Sequence, residues 1–203
     1  MVSKFKKLAG LLSKLPGIGP RQAKRFAYFL LTRDDSYNKT LSDLIIKLKK
    51  EIRQCSSCLR FMPERKSTVC SICADPGRDD SLLCIVTNDV DLDAFEKGGT
   101  YIGKYFVIGG NIPILEKEPE SRVRIKRLAD YVEGKKPTLR EIILALNATP
   151  EGEHTAEFIS SSLSEIIKSK NIKLSHLGRG LSTGTELEYA DPDTIKNAFK
   201  HRE

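Results

Sequence analysis

Apolar and basic positions alternate with helical periodicity near the start of the chain. Apolar residues recur every three or four positions in three stretches, which predicts helices over residues 4–15, 21–32 and 41–53. The first two are separated by Pro16-Gly-Ile-Gly-Pro20, where two prolines and two glycines predict a tight turn. The basic residues fall outside the apolar stripes, as on the outer surface of a helical module. We predict that this module covers residues 1–54.

After residue 80 the pattern changes to short apolar runs that alternate with longer helical stretches. The run Ile142-Ile-Leu-Ala-Leu146 contains no polar residue, as in a parallel strand that is buried on both faces. Strands that alternate with helices are typical of an α/β domain with right-handed crossovers. The predicted strands are 82–87, 105–109, 141–146 and 172–175, and the predicted helices are about 89–97, 120–133, 152–169 and 192–200.

Two cysteine pairs lie between these regions. Cys55-Ser-Ser-Cys58 is followed after eleven residues by Cys70-Ser-Ile-Cys73. This spacing is typical of a zinc site, and four thiolates match the tetrahedral preference of Zn²⁺. Two disulfides, or four unrelated thiols, are the alternatives. Because four thiolates leave no open position for a substrate, we predict one structural Zn²⁺ per chain, in a zinc finger over residues 55–80.

Composition indicates a globular protein of one or two domains. The chain has 203 residues, 39% of them apolar, with 8 Phe and 6 Tyr, which is enough for one or two domains with a real core. It has no apolar run of about 18 residues and no signal-peptide pattern. Two cysteine pairs and a fifth cysteine, Cys84, fit a reducing cytosol better than secretion. We therefore expect a cytoplasmic protein without membrane contact.

The positive charge is concentrated at one end. The net charge of the whole chain is +7, but residues 1–54 carry +9, residues 55–80 carry zero and residues 81–203 carry −2. A small basic helical module is the electrostatic pattern expected for binding a nucleic-acid backbone. A solvated lysine-rich surface is the alternative.

The turn between the first two helices has the form of a phosphate-binding site. We expect its backbone N–H groups to be unpaired at a helix N-terminus, where they bind phosphate oxygens with help from the helix dipole. Neighbouring basic side chains would add charge, and such contacts hold phosphates without reading bases. A plain turn between packed helices is the alternative. The predicted DNA contacts are Gly17, Ile18, Gly19, Arg21, Lys24 and Arg25.

Acidic residues follow two of the predicted strands. Asp91 comes shortly after the first strand, and Glu151 and Glu153 come after the third. Ligands of parallel sheets bind beyond the carboxyl ends of the strands, and carboxylates there can hold Mg²⁺. The alternative is that these acids complement the N-termini of the following helices.

The order of these features resembles the RecR family of bacterial recombination mediators, over essentially the whole chain. Residues 15–27 resemble the family's helix-hairpin-helix segment, and residues 101–110 resemble a middle segment. Residues 144–156 are similar to the family's Asn-Pro-Thr-x-Glu-Gly-Glu-x-Thr-Ala stretch, and residues 180–191 to its Walker-B-like region.

The resemblance implies a fold and a function. It implies a Toprim domain with a mainly parallel sheet over residues 81–176, and a C-terminal Walker-B-like segment and helix over residues 177–203. It further implies a DNA clamp, with dimers assembling into a tetrameric ring near the nucleoid. The implied partners are RecO and RecF, and the implied role is to promote RecA loading on DNA coated by single-strand-binding protein. The family's DNA-binding residues correspond to Arg21 and Arg25.

One position departs from the family pattern. Toprim enzymes carry a proton-transferring Glu at the end of the first strand, whereas this chain has Thr87. A threonine hydroxyl is no general acid or base near neutral pH and a poor Mg²⁺ ligand. We therefore expect a DNA-binding mediator that is not an enzyme, with Asp91, Glu151 and Glu153 available to a basic protein partner. A Toprim-type Mg²⁺-dependent nuclease or primase is the alternative function.

Overall fold

The computed structural model describes residues 3–64, 66–134, 138–178, 180–181, 184 and 186–200, apart from the side chains of Asp193 and Lys200. The chain divides into two compact units, Met1–Arg53 and Gln54–Glu203. The finer division of the second unit into a zinc finger, a Toprim domain and a C-terminal segment stays a prediction. No helix in the described ranges is both long and apolar enough to cross a membrane.

The first unit contains the three predicted helices. They are α1 (Ser3–Leu12), α2 (Pro20–Leu31) and α3 (Asp35–Glu51). The last helix begins earlier than its apolar spacing indicated, because the side chain of Asp34 accepts a hydrogen bond from the backbone N–H of Tyr37 at 2.7 Å. Such an N-cap satisfies a donor that the helix itself cannot.

The helices of the first unit differ in burial. Helices α1 and α2 pack through Ala9, Ala23 and Ala27, which are buried. In contrast, α3 has no buried residue. Its side chains at Ile45 and Ile46 are 62% and 63% exposed, which leaves an apolar helix face without cover within the described part of this unit.

The second unit is organised by a four-stranded parallel sheet. Its strands are β3 (Asp79–Val86), β4 (Gly103–Val107), β5 (Glu141–Ala145) and β6 (Lys173–His176), in the spatial order β4-β3-β5-β6. All three neighbouring pairs are parallel, with Ile85 opposite Phe106 on one side and Leu144 on the other. The four predicted strands and the α/β class are therefore confirmed.

Both faces of this sheet are buried. One face packs against α6 (Ile125–Gly134) and α7 (Pro150–Lys170). The other face packs against α5 (Asp89–Gly98) and the region around the cysteine pairs. Alternate residues of β3 separate accordingly, with Leu83 and Ile85 in the first cluster and Cys84 and Val86 in the second. The cysteine region is thus part of the core of the α/β unit.

Several short elements complete the chain. The strands β1 (Ile52–Gln54) and β2 (Phe61–Pro63) flank the first cysteine pair. The one-turn helix α4 (Ser71–Ala74) begins directly after Cys70 and contains Cys73. Helix α8 (Pro192–Lys200) begins as predicted, because Asp191 accepts from the N–H of Thr194 at 2.9 Å. Of the predicted Walker-B-like segment, Ser182, Thr183 and Thr185 lie outside the described residues.

Several predicted bounds were wrong besides the start of α3. Helix α1 ends at Leu12 rather than residue 15, and strand β3 begins at Asp79 rather than residue 82. Helix α6 begins at Ile125 rather than near residue 120, after a 3₁₀ turn at Pro119–Ser121. Strand β4 ends at Val107, two residues before Gly109, which adopts a φ of 95° that a strand does not allow. Helix α7 begins early, at Pro150, because the Thr149 hydroxyl accepts from the N–H of Gly152 at 3.1 Å.

We expect Gly152→Ala to destabilise the second unit by about 1–3 kcal/mol, the usual cost of overpacking. A Cβ atom at this position would lie 2.0 Å from the backbone oxygen of Asn147. Gly98→Ala is the matched control, since Gly98 is also helical and has open space around it. Urea unfolding of both variants checks this, and equal midpoints would contradict it.

Candidate metal centre and nucleic-acid interface

Four cysteine sulfurs converge in the second unit. The Sγ atoms of Cys55, Cys58, Cys70 and Cys73 all lie within 4.8 Å of one another, and those of Cys58 and Cys70 are 3.6 Å apart. Sulfurs about 2.3 Å from a tetrahedral zinc are about 3.8 Å from each other. The cluster therefore fits a four-coordinate metal. It is the sole such group of His, Cys, Asp or Glu side chains within the described ranges.

Local backbone geometry brings the two pairs together. The N–H of Cys55 donates to the oxygen of Arg60 at 2.8 Å, and Leu59 takes a left-handed φ of 62°, so the chain reverses directly after the first pair. The N–H of Cys70 donates to the sulfur of Cys55 at 3.3 Å. All five cysteines are free thiols, so the alternative of two disulfides was wrong.

The thiols of the cluster influence one another. The pKa of Cys55 is lowered, because Cys58 and then Cys70 and Cys73 donate hydrogen bonds to its sulfur. The pKa of Cys58 is raised, because its hydrogen bond with Cys55 holds its proton. A metal that binds all four sulfurs as thiolates must therefore displace protons, as is general for cysteine sites.

The first cysteine pair covers the free edge of the sheet. Strand β4 is an edge strand, and the N–H of Val107 donates to the backbone oxygen of Cys58 at 2.9 Å. The guanidinium of Arg124 donates to the oxygens of Val107 and Leu59 at 3.0 and 3.2 Å. Burial of this guanidinium lowers the pKa of Arg124. The outer hydrogen-bonding groups of Val107 are therefore satisfied, as an edge strand requires.

In the first unit, the turn before α2 has part of the expected geometry. Gly17 adopts a φ of 75°, and Gly19 is the N-cap residue of α2 with a φ of −75°. No acceptor is found for the N–H groups of these two glycines in the described part of the unit. The expectation of a free amide at Ile18 was wrong, because its N–H donates to the oxygen of Leu15 at 3.1 Å and closes the turn.

The basic side chains after the turn lie on one exposed face. Arg21, Lys24 and Arg25 are all exposed on α2, and Lys24 and Arg25 follow Arg21 by three and four residues. Arg25 is 3.5 Å from the side-chain oxygen of Gln22, and no ion pair of these three cations is found among the described residues. Their charges are thus available to an anion, and their contact with DNA stays a prediction.

The acids at the carboxyl end of the sheet do not converge into a group of three or more ligands among the described residues. Glu151 and Glu153 are exposed in the first turn of α7, whereas Asp91 is partly buried in the first turn of α5. Their carboxylates are not gathered around one point in the way the cysteines are. Thr87 is 4% exposed, and its hydroxyl has no partner within the described ranges. The residues present therefore do not fit a Toprim Mg²⁺ site.

The sequence analysis missed Thr155, which fixes the start of α7 at the carboxyl end of the sheet. Thr155 is fully buried, and its hydroxyl accepts from the N–H of Ile112 at 2.8 Å and donates to the oxygen of Glu151 at 2.6 Å. It ties the first turn of α7 to the loop after β4. The Thr-Ala pair that ends the motif at residues 144–156 was the available signal.

These features define a multidomain protein, in which a helix-hairpin-helix module precedes a four-cysteine metal site and a parallel α/β domain. Family models match its parts in the same order: RecR helix-hairpin-helix at residues 5–48, Toprim domain at 81–177 and RecR C-terminal at 180–203. The chain belongs to the RecR family.

Similar proteins cover almost the entire chain. The protein named recombination protein RecR of Bdellovibrio bacteriovorus is 34% identical, over 99% of this chain and 97% of the relative. The protein of the same name from Rhodospirillum rubrum is 39% identical, over 97% of this chain and 95% of the relative.

We expect Cys58→Ser to abolish metal retention and lower the melting temperature, because three thiolates leave the tetrahedral shell open. Cys84→Ser is the matched control, since Cys84 is equally buried but lies in β3 outside the cluster. Burial raises the pKa of Cys84 to about 12, and its sulfur is not one of the four that converge. Metal analysis of the purified variants checks this, and metal lost from both would contradict it.

Proposed function

We propose that this chain is a DNA-binding recombination mediator that acts without catalysis. The observation that carries the proposal is the exposed trio Arg21, Lys24 and Arg25 beside the hairpin, in a unit that holds more than the whole net positive charge. Phosphates would bind to these side chains and to the N–H groups of Gly17 and Gly19. Such contacts hold DNA regardless of its sequence, which suits a clamp.

The metal of the cysteine cluster is proposed to be a structural Zn²⁺. Four sulfurs at this spacing match zinc in ligand type and number. Zinc bound here would supply folding free energy to the cysteine region rather than chemistry, because no position is left for a substrate.

The proposed partners are RecO and RecF, and the proposed role is to promote RecA loading on DNA coated by single-strand-binding protein in the bacterial cytoplasm, near the nucleoid. The exposed carboxylates of Glu151 and Glu153 would contact a basic partner. Asp91, in the first turn of α5 after β3, would contribute a further carboxylate. This role is supported by the full-length similarity to proteins named recombination protein RecR. Thr87, in place of an acid, argues against proton transfer at this edge.

We also propose that two copies associate through the first unit, and that dimers assemble into a tetrameric ring. The three helices enclose an apolar groove of about 750 Å³, an unusual feature for a free surface. Helix α3 has no buried residue, so a second copy would give its apolar face the cover it lacks. The groove is lined by Phe5, Leu8, Leu12, Tyr28, Leu41 and Ile45.

Arg21→Ala combined with Arg25→Ala should weaken binding of all DNA sequences alike and reduce the salt slope by about one unit per lost phosphate contact. Lys126→Ala with Arg127→Ala is the control, because it removes two exposed cations from α6 and the same net charge. Filter binding over a salt series measures both. An equal loss in the control would mean that only the net charge matters, which would defeat the hairpin as the DNA site.

Ile45→Lys should convert the dimer into monomers, because it places a charge on the apolar face of α3 that the second copy would bury. Asp43→Asn changes the net charge by the same amount on the same helix, outside the groove, and should leave the dimer intact. Light scattering reports the mass of each variant. A dimer that survives Ile45→Lys would rule out this face as the interface.

A further inference from the structure

Lys104 of β4 is an unusual side chain. Among the described residues it is the one buried side chain that carries a charge, with 5% exposure. Lysine is almost never buried unless it is paired, because removing an ammonium group from water costs several kcal/mol. The structure must therefore offer Lys104 a compensation.

Backbone oxygens supply part of that compensation. The Nζ atom donates to the oxygens of Ile72, Cys73 and Asp75 at 3.1, 3.2 and 2.8 Å, which uses all three N–H groups. These carbonyls are neutral, and no carboxylate pairs with Lys104 in the described part of the chain. The hydrogen bonds are satisfied, but the positive charge is not balanced by an acid.

The metal centre would supply the missing negative charge. Two of the three acceptors belong to α4, the helix that carries Cys73, and the third follows directly after that helix. Four thiolates around one divalent cation have a net charge of −2, and three of the four cysteines are buried. A buried ammonium on the edge strand β4 and the backbone of the second cysteine pair thus lie next to one another, since Nζ is 3.2 Å from the oxygen of Cys73.

We propose that Lys104 is a positioning residue of the metal centre. Its ammonium group holds the backbone of the second cysteine pair against β4, and its charge balances the tetrathiolate, so that metal retention depends on it. This inference rests on the metal site proposed above and is independent of DNA binding. It also explains why a lysine occupies an otherwise apolar core position.

Lys170 serves as a control, because it caps a helix with its ammonium group but lies away from the cysteines. Lys170 donates to the oxygens of Val132 and Glu133, both at 2.8 Å, at the end of α6. It makes the same kind of contact with backbone carbonyls, but at a helix that carries no cysteine. Its replacement removes a cap without removing a charge from the metal centre.

The test compares zinc retention in Lys104→Gln, Lys104→Arg and Lys170→Gln, each in the full chain. Zinc affinity is measured by competition with a chromogenic chelator, and the Co²⁺-substituted proteins report tetrathiolate ligation by their absorption spectra.

Glutamine keeps a hydrogen-bond donor without charge, so Lys104→Gln should bind zinc about 10–100-fold more weakly, the usual effect of losing an outer-shell partner. Lys104→Arg should restore most of the affinity. Lys170→Gln should retain wild-type affinity even if it melts at a lower temperature.

Each other outcome overturns part of the proposal. If Lys104→Gln binds zinc with wild-type affinity, Lys104 only caps a helix. If the Gln and Arg variants lose the same zinc affinity, the shape of the lysine side chain matters rather than its charge. If Lys104→Gln does not fold in zinc-containing buffer, the test passes to Lys104→Arg. This variant keeps the positive charge, so it should fold and retain zinc. If it also fails to fold with zinc, the positive charge is not what the site requires. A wild-type protein that binds no zinc would overturn the metal site itself, whereas unchanged affinity in the variants overturns the role of Lys104 alone.

Discussion

The contact between the cysteine cluster and the parallel sheet is the constraint on which the second unit depends. The stretch from Cys55 to Cys73 is too short to bury a core of its own, and its cysteines instead join β3, β4 and α5 in one apolar cluster. The backbone of Cys58 completes the hydrogen bonding of Val107 at the sheet edge. A metal that holds the four thiolates together would therefore stabilise the sheet as well as the cysteine region, since binding free energy at such a site is folding free energy.

The first unit satisfies a different physical requirement. Its alanine-rich contact between α1 and α2 is small, and its remaining apolar surface stays open. Its positive charge is not neutralised by neighbouring acids, which lowers the stability of an isolated unit but attracts a polyanion. Both features are costs for a free monomer, and both would become favourable under the proposal that the unit binds DNA and a second copy.

The carboxyl edge of the sheet belongs to a Toprim domain in which position 87 is a threonine. Gly152 is required by the close approach of the Asn147 oxygen, and Thr155 ties α7 to the loop after β4. Both residues act through contacts with the backbone, and neither of these contacts involves position 87. Backbone geometry thus explains Gly152 and Thr155 of the motif at residues 144–156, whereas its carboxylates at Glu151 and Glu153 are exposed.

Periodicity and spacing along the chain were enough to predict the three N-terminal helices, the four strands of the sheet and the four-cysteine cluster. These features depend on neighbours within a few residues, or on ligands whose spacing is itself a signal. Only the tertiary structure decided that Thr155 bonds Ile112 and that Lys104 is buried beside Cys73. These contacts join residues 43 and 31 positions apart. No local pattern encodes such pairs, because they form only when the sheet brings its strand ends and the cysteine region together.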